Sequence, residues 1–410
     1  MHSSDKKRGL PPILIFILVY IGYTSIYVSR INLSVAEPSL EELGVVDAVT
    51  YGIIGGLFST VYSVGRLVNG TIGDRTPPYV MLSVGLGFAG LANIILGFLP
   101  GYIGFLLLWS VNAYAQSMLW SSVLATVSHI YEGRGQKRMT ALMVTAVATG
   151  NIIAILLGGY LITAFDVSLV FFIPGALNIL LGLILLITVR FVPAPAKEEK
   201  SGEYRSIFSL IKNPDLSLML IPSVLHGILK ENVNVWMVAF AVATFNVDLS
   251  TSSYYVLLIP VIGLVGRLLF PLCLKLAGER ENTVSILGFS VAAVASVLLI
   301  FADRLGIAVA VIALGVIYAA SSMVNTSITS IYPLSYGGNV ASVSGLLDFG
   351  SYLGAGISGA VFGVVIKYFG YIPMFITWGV VAIISVATLV FINIRRKRTT
   401  EQKPESITAE

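Results

Sequence analysis

Residues 64–75 read Val64-Gly65-Arg66-Leu67-Val68-Asn69-Gly70-Thr71-Ile72-Gly73-Asp74-Arg75: an arginine and three glycines close a long apolar run, and an Asp-Arg pair follows. The opening of this stretch returns about 200 positions later as Val265-Gly266-Arg267-Leu268, again near the end of an apolar run. Ser128-His129-Ile130-Tyr131 is echoed at the same spacing by Thr329-Ser330-Ile331-Tyr332, and Arg30 by Lys230. Such regular spacing points to two related halves in one chain.

Composition sets the class. The 410 residues are 56% hydrophobic and 11% charged, with a mean hydropathy of +0.89, whereas ordinary soluble domains carry about 25% charged residues. Twelve apolar runs recur, roughly 12–35, 51–73, 79–99, 102–130, 139–164, 168–192, 215–245, 251–276, 282–302, 305–332, 338–367 and 371–394. Each can cross a ~30 Å hydrocarbon core as a helix. The expected fold class is an all-α membrane protein, with twelve transmembrane helices arranged as two pseudo-symmetric six-helix bundles. The runs leave no room for a soluble catalytic domain, and no enzyme activity is expected. The first run is too long for a cleavable signal peptide and carries Arg30 near its end. A single cysteine, Cys273, excludes a disulfide framework, and three scattered histidines lack metal-site spacing. No cofactor or metal is expected, and the net charge of +4 reflects membrane topology rather than nucleic-acid binding.

The longest polar stretch between runs, residues 193–213, divides six runs from six and suits a cytoplasmic linker with a short amphipathic helix around Ile207–Ile211. The expected organisation is a first bundle over 1–192, the linker, a second bundle over 214–394 and a tail over 395–410. With the N-terminus inside, nineteen Lys and Arg residues fall in cytoplasmic segments, while the opposite side collects only Arg304 and Lys367. The positive-inside rule therefore puts both termini in the cytoplasm of a plasma-membrane protein.

A cation inside a membrane span costs at least ~2.5–3.5 kcal/mol at the helix centre, so Arg30 and Lys230 need a reason to be there. Tyr20, Tyr23, Tyr27 and Arg30 lie at steps of three, four and three, on one face of the first helix. That stripe suits a polar cavity in which Arg30 grips a carboxylate or phosphate; the other reading is that Arg30 snorkels to the interface. His226, Lys230 and Asn234 share a face of the seventh helix, with Glu231 on the adjacent one. Here the competing reading is a structural ion pair that neutralises Lys230. Asn112, Gln116 and Trp120 in the fourth span, and Tyr318, Ser322, Asn325 and Thr329 in the tenth, complete a cavity wall or serve interhelical hydrogen bonds. Asp348, and Glu231 beside it in rank, are the proton-coupling candidates; the alternative for Asp348 is charge compensation. Gly70, Asp74 and Arg75, with Arg66 and Arg267, read as a gating set.

At these residues the chain resembles the major facilitator superfamily. Gly70–Arg75 is similar to its helix 2–3 loop signature, although Thr76-Pro77-Pro78 replaces the usual basic run. More narrowly, Arg30-Ile31-Asn32-Leu33 with Ala36-Glu37-Pro38, Leu229-Lys230-Glu231-Asn232-Val233 with Trp236, and Gln116–Trp120 resemble segments of the organophosphate:phosphate antiporters. The resemblance implies that Arg30 and Lys230 bind the anionic group of a substrate. It departs in having Lys rather than Arg at 230 and no histidine in the fifth span around Thr145–Asn151.

Together these readings lead to a secondary transporter of a small organic anion, an organophosphate or carboxylate, working by alternating access. Phosphate antiport or proton symport supplies the energy, since no Gly-x-x-x-x-Gly-Lys-Ser/Thr motif is present. Arg30, Lys230, Tyr20, Tyr23, Tyr27, Trp120, His226, Asn234 and Asn325 are the expected substrate contacts, and the expected assembly is a monomer in the lipid bilayer. The rival reading is a transporter-shaped receptor for an anionic metabolite.

Overall fold

The computed structural model describes residues 10–188, 205–246 and 249–401, and every regular element among them is a helix. The first half runs α1 (Pro12–Glu42), α2 (Ala48–Gly73), α3 (Pro78–Leu96), α4 (Gly101–Ser117), α5 (Leu119–Ile130), α6 (Gly133–Ala164) and α7 (Leu169–Thr188). The second runs α8 (Ile207–Ile211), α9 (Pro214–Phe245), α10 (Leu249–Leu276), α11 (Glu281–Ile300), α12 (Ala302–Leu305), α13 (Ile307–Asn325), α14 (Val340–Phe369) and α15 (Ile372–Glu401). Between α13 and α14 lie a π-helical turn, Thr326–Ile331, and a 3₁₀ segment, Tyr332–Asn339. Residues 193–204 of the expected linker and 402–410 of the tail lie outside the described residues.

Local chemistry explains the boundaries. Pro12 and Pro78 open α1 and α3, where the missing N–H would have no partner in any case. A reciprocal capping box starts α2: Thr50 N–H donates to Asp47 Oδ1 (2.7 Å) and Asp47 N–H to Thr50 Oγ1 (2.8 Å). The fourth span is broken at Met118 into pieces of 17 and 12 residues. Seven segments among the described residues are long and apolar enough to cross a membrane by length and composition, one being the continuous run Ile307–Phe369 that holds two expected spans. The spans missing from that set are the diluted ones: glycine-rich α2, the divided α4–α5, polar α9, and α10.

The described chain forms two units: residues up to Ser206 with Pro333–Phe349, and Ile207–Tyr332 with Gly350 onward. Each unit has the same internal plan. In the first, α3 packs on α7 and α4, α2 on α4, and α1 on α6; in the second, α11 packs on α15 and α13, and α10 on α13. The counterpart of the α1–α6 contact is α9 against α14, and both depend on glycine. A Cβ on Gly150 would stand 2.5 Å from the Thr24 carbonyl oxygen, and one on Gly227 only 1.8 Å from that of Ser351. Both units carry polar side chains inside and large apolar ones outside: Asn93, Asn112, Asn178 and His226 are fully buried, while Leu107, Leu156, Ile312 and Ile383 are exposed. That inversion suits a lipid surround, where polar groups must be satisfied internally.

In unit 1 the start of α14 docks on α2. Gly70 faces the Ala341 carbonyl, and Gly345 faces that of Arg66, so the two backbones touch. Arg66 is fully buried; its Nη1 donates to Ser121 Oγ (3.2 Å) and its Nη2 pairs with the Asp348 carboxylate. Just beyond α2, Asp74 caps α14: Ala341 and Ser342 N–H donate to its two carboxylate oxygens, each at 2.9 Å. Burial outweighs these bonds and lifts the Asp74 carboxyl to about 6.

Three outcomes follow from this packing. Gly227→Ala should cost about 1–3 kcal/mol or leave too little folded protein to assay, read by thermal unfolding in detergent. Arg66→Gln or Asp348→Asn alone should destabilise by about 3–5 kcal/mol, while an apolar double replacement recovers most of the loss; a double-mutant cycle measures this. Asp74 binds its proton more tightly folded than unfolded, so its contribution to stability falls as pH rises from ~4 through 6, by up to ~3 kcal/mol. Unfolding curves of wild type and Asp74→Asn across pH 4–7.5 should differ in that direction.

Candidate functional site

Unit 1 assembles a chain of aromatic rings that ends on a cation. Trp120 on α5 lies 5.2 Å from the Tyr23 ring, and Tyr23 meets Tyr27 edge-on at 5.3 Å with their hydroxyls 3.3 Å apart. The Arg30 guanidinium then sits 4.3 Å from the Tyr62 ring centroid, 5.0 Å from Phe58 and 5.5 Å from Tyr27. Three rings on two helices hold the cation by its charge. Tyr20 turns to α6, bonding Thr145 Oγ1 (3.0 Å) and Thr149 Oγ1 (3.3 Å). The structure thus brings Tyr23, Tyr27, Trp120 and Arg30 together, and adds Phe58 and Tyr62. Apolar-looking α2 gave no hint of those two in sequence, beyond their spacing of four.

Asn112 and Gln116 lie elsewhere. They join a buried network in which Asn112 Nδ2 donates to the Ser29 carbonyl (3.2 Å), Asn93 Nδ2 to Asn112 Oδ1 (3.3 Å) and Asn32 Nδ2 to Asn93 Oδ1 (2.8 Å). Gln116 donates to Asn112 Oδ1 (3.0 Å), and Asn178 of α7 closes the network on Ser29 Oγ (2.7 Å). This ties α1, α3, α4 and α7 together, the interhelical hydrogen bonding that is one of the two sequence readings of Asn112 and Gln116.

Unit 2 places Lys230 beside Glu231, Nζ to Oε1 3.0 Å, with the lysine 18% and the glutamate 34% exposed. The ion-pair reading of the sequence therefore holds for this couple. Tyr318, Tyr352 and Arg267 lie within electrostatic reach of Lys230. His226, expected in the cavity, is instead fully enclosed and braces two helices: its Nε2 faces the Ser321 carbonyl (3.0 Å) and its Nδ1 the Ser351 hydroxyl (3.1 Å). The carbonyl can only accept, so the proton sits on Nε2. Asn234 is on α9, but its side chain lies outside the described residues. Asn325 is the last residue of α13, where the π turn begins.

Of the coupling and gating residues, Asp348 compensates Arg66 rather than Lys230, and Gly70 and Asp74 hold α14 as described above. Arg75 is exposed just past the cap. Arg267, equivalent in sequence to Arg66, is 5% exposed, and among the described residues its Nε has no hydrogen-bond partner.

Comparison with known proteins follows the same lines. The chain is 29% identical over 189 residues to a probable hexose phosphate transport protein of Chlamydia pneumoniae, covering 46% of this chain and 41% of that one. It is 24% identical over 288 residues to the membrane sensor protein UhpC of Salmonella typhimurium, covering 65% of each. A glycerol-3-phosphate transporter of Bacillus subtilis matches at 26% over 250 residues, 59% of this chain and 55% of that one. The matched stretches thus span about two-fifths to two-thirds of the curated relatives' own lengths. In fold, the chain is similar to the E. coli fucose:proton symporter FucP (TM-score 0.75, 17% identity, 94% of this chain and 99% of that one). The human organic anion transporter MFSD10 is similar too (TM-score 0.73, 14% identity, 93% and 100%). The family model described as Major Facilitator Superfamily matches residues 19–358, and with the twelve spans in two like units this chain, a multi-pass membrane protein, belongs to that superfamily.

Proposed function

We propose that this protein is a secondary transporter of a small organic anion, with a phosphorylated metabolite as the preferred class and alternating access as its mode. The observation that carries the reading is Arg30: a half-buried guanidinium on an apolar helix, boxed by Tyr27, Phe58 and Tyr62. Stacking uses the faces of the guanidinium and suits its edges to an oxyanion, the arrangement in which Arg grips phosphate bidentately. Lys230, its counterpart in the sequence repeat, is the candidate cation of unit 2, where Glu231 is its partner. Relatives named as hexose phosphate and glycerol-3-phosphate transporters support a phosphorylated solute.

Exchange against phosphate fits better than proton symport. Asp348, the leading candidate for proton coupling, has its charge engaged by Arg66, and Glu231 by Lys230. The protein would act as a monomer in the plasma membrane with both termini cytoplasmic, the orientation that the charge distribution of the loops favours. A second reading, an anion sensor without flux, is favoured by the likeness to UhpC.

Proteoliposomes preloaded with inorganic phosphate should take up labelled glycerol 3-phosphate, with Arg30→Ala and Lys230→Ala each lowering uptake by about tenfold or more. Saturable binding with no flux would establish the sensor. Flux that neither substitution disturbs would remove both cations from the site.

A further inference from the structure

Arg66 and Arg267 occupy matching places in the repeated Val-Gly-Arg-Leu stretch, and their surroundings differ in one respect. Arg66 has a carboxylate, Asp348, against its guanidinium. Arg267 has no ion pair among the described residues, and a charge within its electrostatic reach is another cation, Lys230. It is nevertheless 5% exposed on α10 of a membrane-embedded unit. An uncompensated buried charge costs several kcal/mol, and a membrane interior offers it no water.

The groups around it are also unsatisfied. Gly263, one turn earlier on α10, is the point on which three side chains of unit 2 converge. A Cβ there would stand 2.8 Å from the Tyr318 ring, 3.0 Å from Arg267 Nη1 and 3.4 Å from Ser322 Oγ. The Ser322 hydroxyl is fully buried without a hydrogen-bond partner, as is the Arg267 Nε. Buried polar groups in native proteins have partners as a rule, and one that lacks a partner calls for an explanation; the Arg66 Nε lacks one too, so what sets Arg267 apart is the unpartnered Ser322 hydroxyl beside it. Within this cluster Lys230 and Arg267 bring two positive charges and Glu231 one negative. Glu231, a third exposed, is the member able to swing away.

We propose that Arg267 is a direct substrate contact, forming with Lys230, Tyr318 and Ser322 a two-cation seat for a doubly charged phosphoryl group. This rests on the transporter reading above and gives Arg267 a role other than gating. One charge of the ligand compensates Arg267, and the other competes with Glu231 for Lys230. A phosphate monoester carries its second charge only above a pKa of about 6, so the seat discriminates by protonation state.

The test uses the full chain purified in detergent, with glycerol 3-phosphate as probe and lactate as the singly charged control. Binding is followed by titration between pH 5.5 and 7.5. Wild type should bind glycerol 3-phosphate more tightly as pH rises, and lactate without that trend. Arg267→Gln should weaken glycerol 3-phosphate at pH 7.5 by about tenfold or more, the loss expected of one charge-assisted hydrogen bond, and flatten the pH trend. A merely structural role would lower yield and melting temperature while leaving the trend intact, and that result overturns the inference. If Arg267→Gln does not fold, Arg267→Lys and Ser322→Ala decide: weaker binding in either supports the seat, and wild-type affinity in both removes it. If Lys230→Ala abolishes binding while Arg267→Gln does not alter it, only this inference falls. Wild-type protein that binds neither probe would remove the transporter reading with it.

Discussion

Inside a bilayer an apolar helix face gains nothing by exchanging lipid for another apolar face, so the helices need other reasons to stay together. This chain supplies two: backbones brought into contact at glycine, and polar side chains that find partners only on a neighbouring helix. Gly150 against Thr24 and Gly227 against Ser351 are the first kind. The asparagine network around Ser29 and the two bonds of His226 are the second. The same low dielectric that makes these bonds effective makes any unmatched polar group costly, which is why position rather than polarity decides what each residue does.

The two units share a packing plan but solve their polar problems differently. Four asparagines on four helices form one connected network in the first, whereas the second uses separate ties: His226 to Ser321 and Ser351, Asn232 to Ser358, and Asn282 to Asn393. Arg66 is neutralised and locked between α2 and α14, while its repeat partner Arg267 has no ion pair among the described residues. A duplicated scaffold tolerates such drift because each unit needs only internal satisfaction. Chemistry specific to a ligand accumulates where the second copy was freed from the structural duty of the first.

Periodicity and composition gave the spans and the aromatic stripe leading to Arg30, since a helix face is a property of one segment. Partners on other helices were beyond that reading. Asp348 is expected from sequence to couple protons or to compensate a charge, and the arginine it meets is Arg66, far away in sequence. His226 shares a helical face with Lys230 but turns out to be a brace, because residues four apart can still meet different neighbours. Phe58 and Tyr62 box Arg30 from α2, and no spacing within α1 could have named them. The break at Met118 has no proline or glycine to announce it.

The π turn at Thr326–Ile331 has a consequence for how the tenth span can be read. Hydroxyls there fold back onto carbonyls four residues earlier, Thr326 onto Ser322 and Thr329 onto Asn325, and the widened turn holds one residue more than an α-turn would. It acts as a vernier: the helical wheel that aligns Tyr318 with Ser322 no longer applies beyond Asn325. A single-residue change in length at this point can be absorbed locally, leaving the upstream polar face in register while the downstream end is redirected.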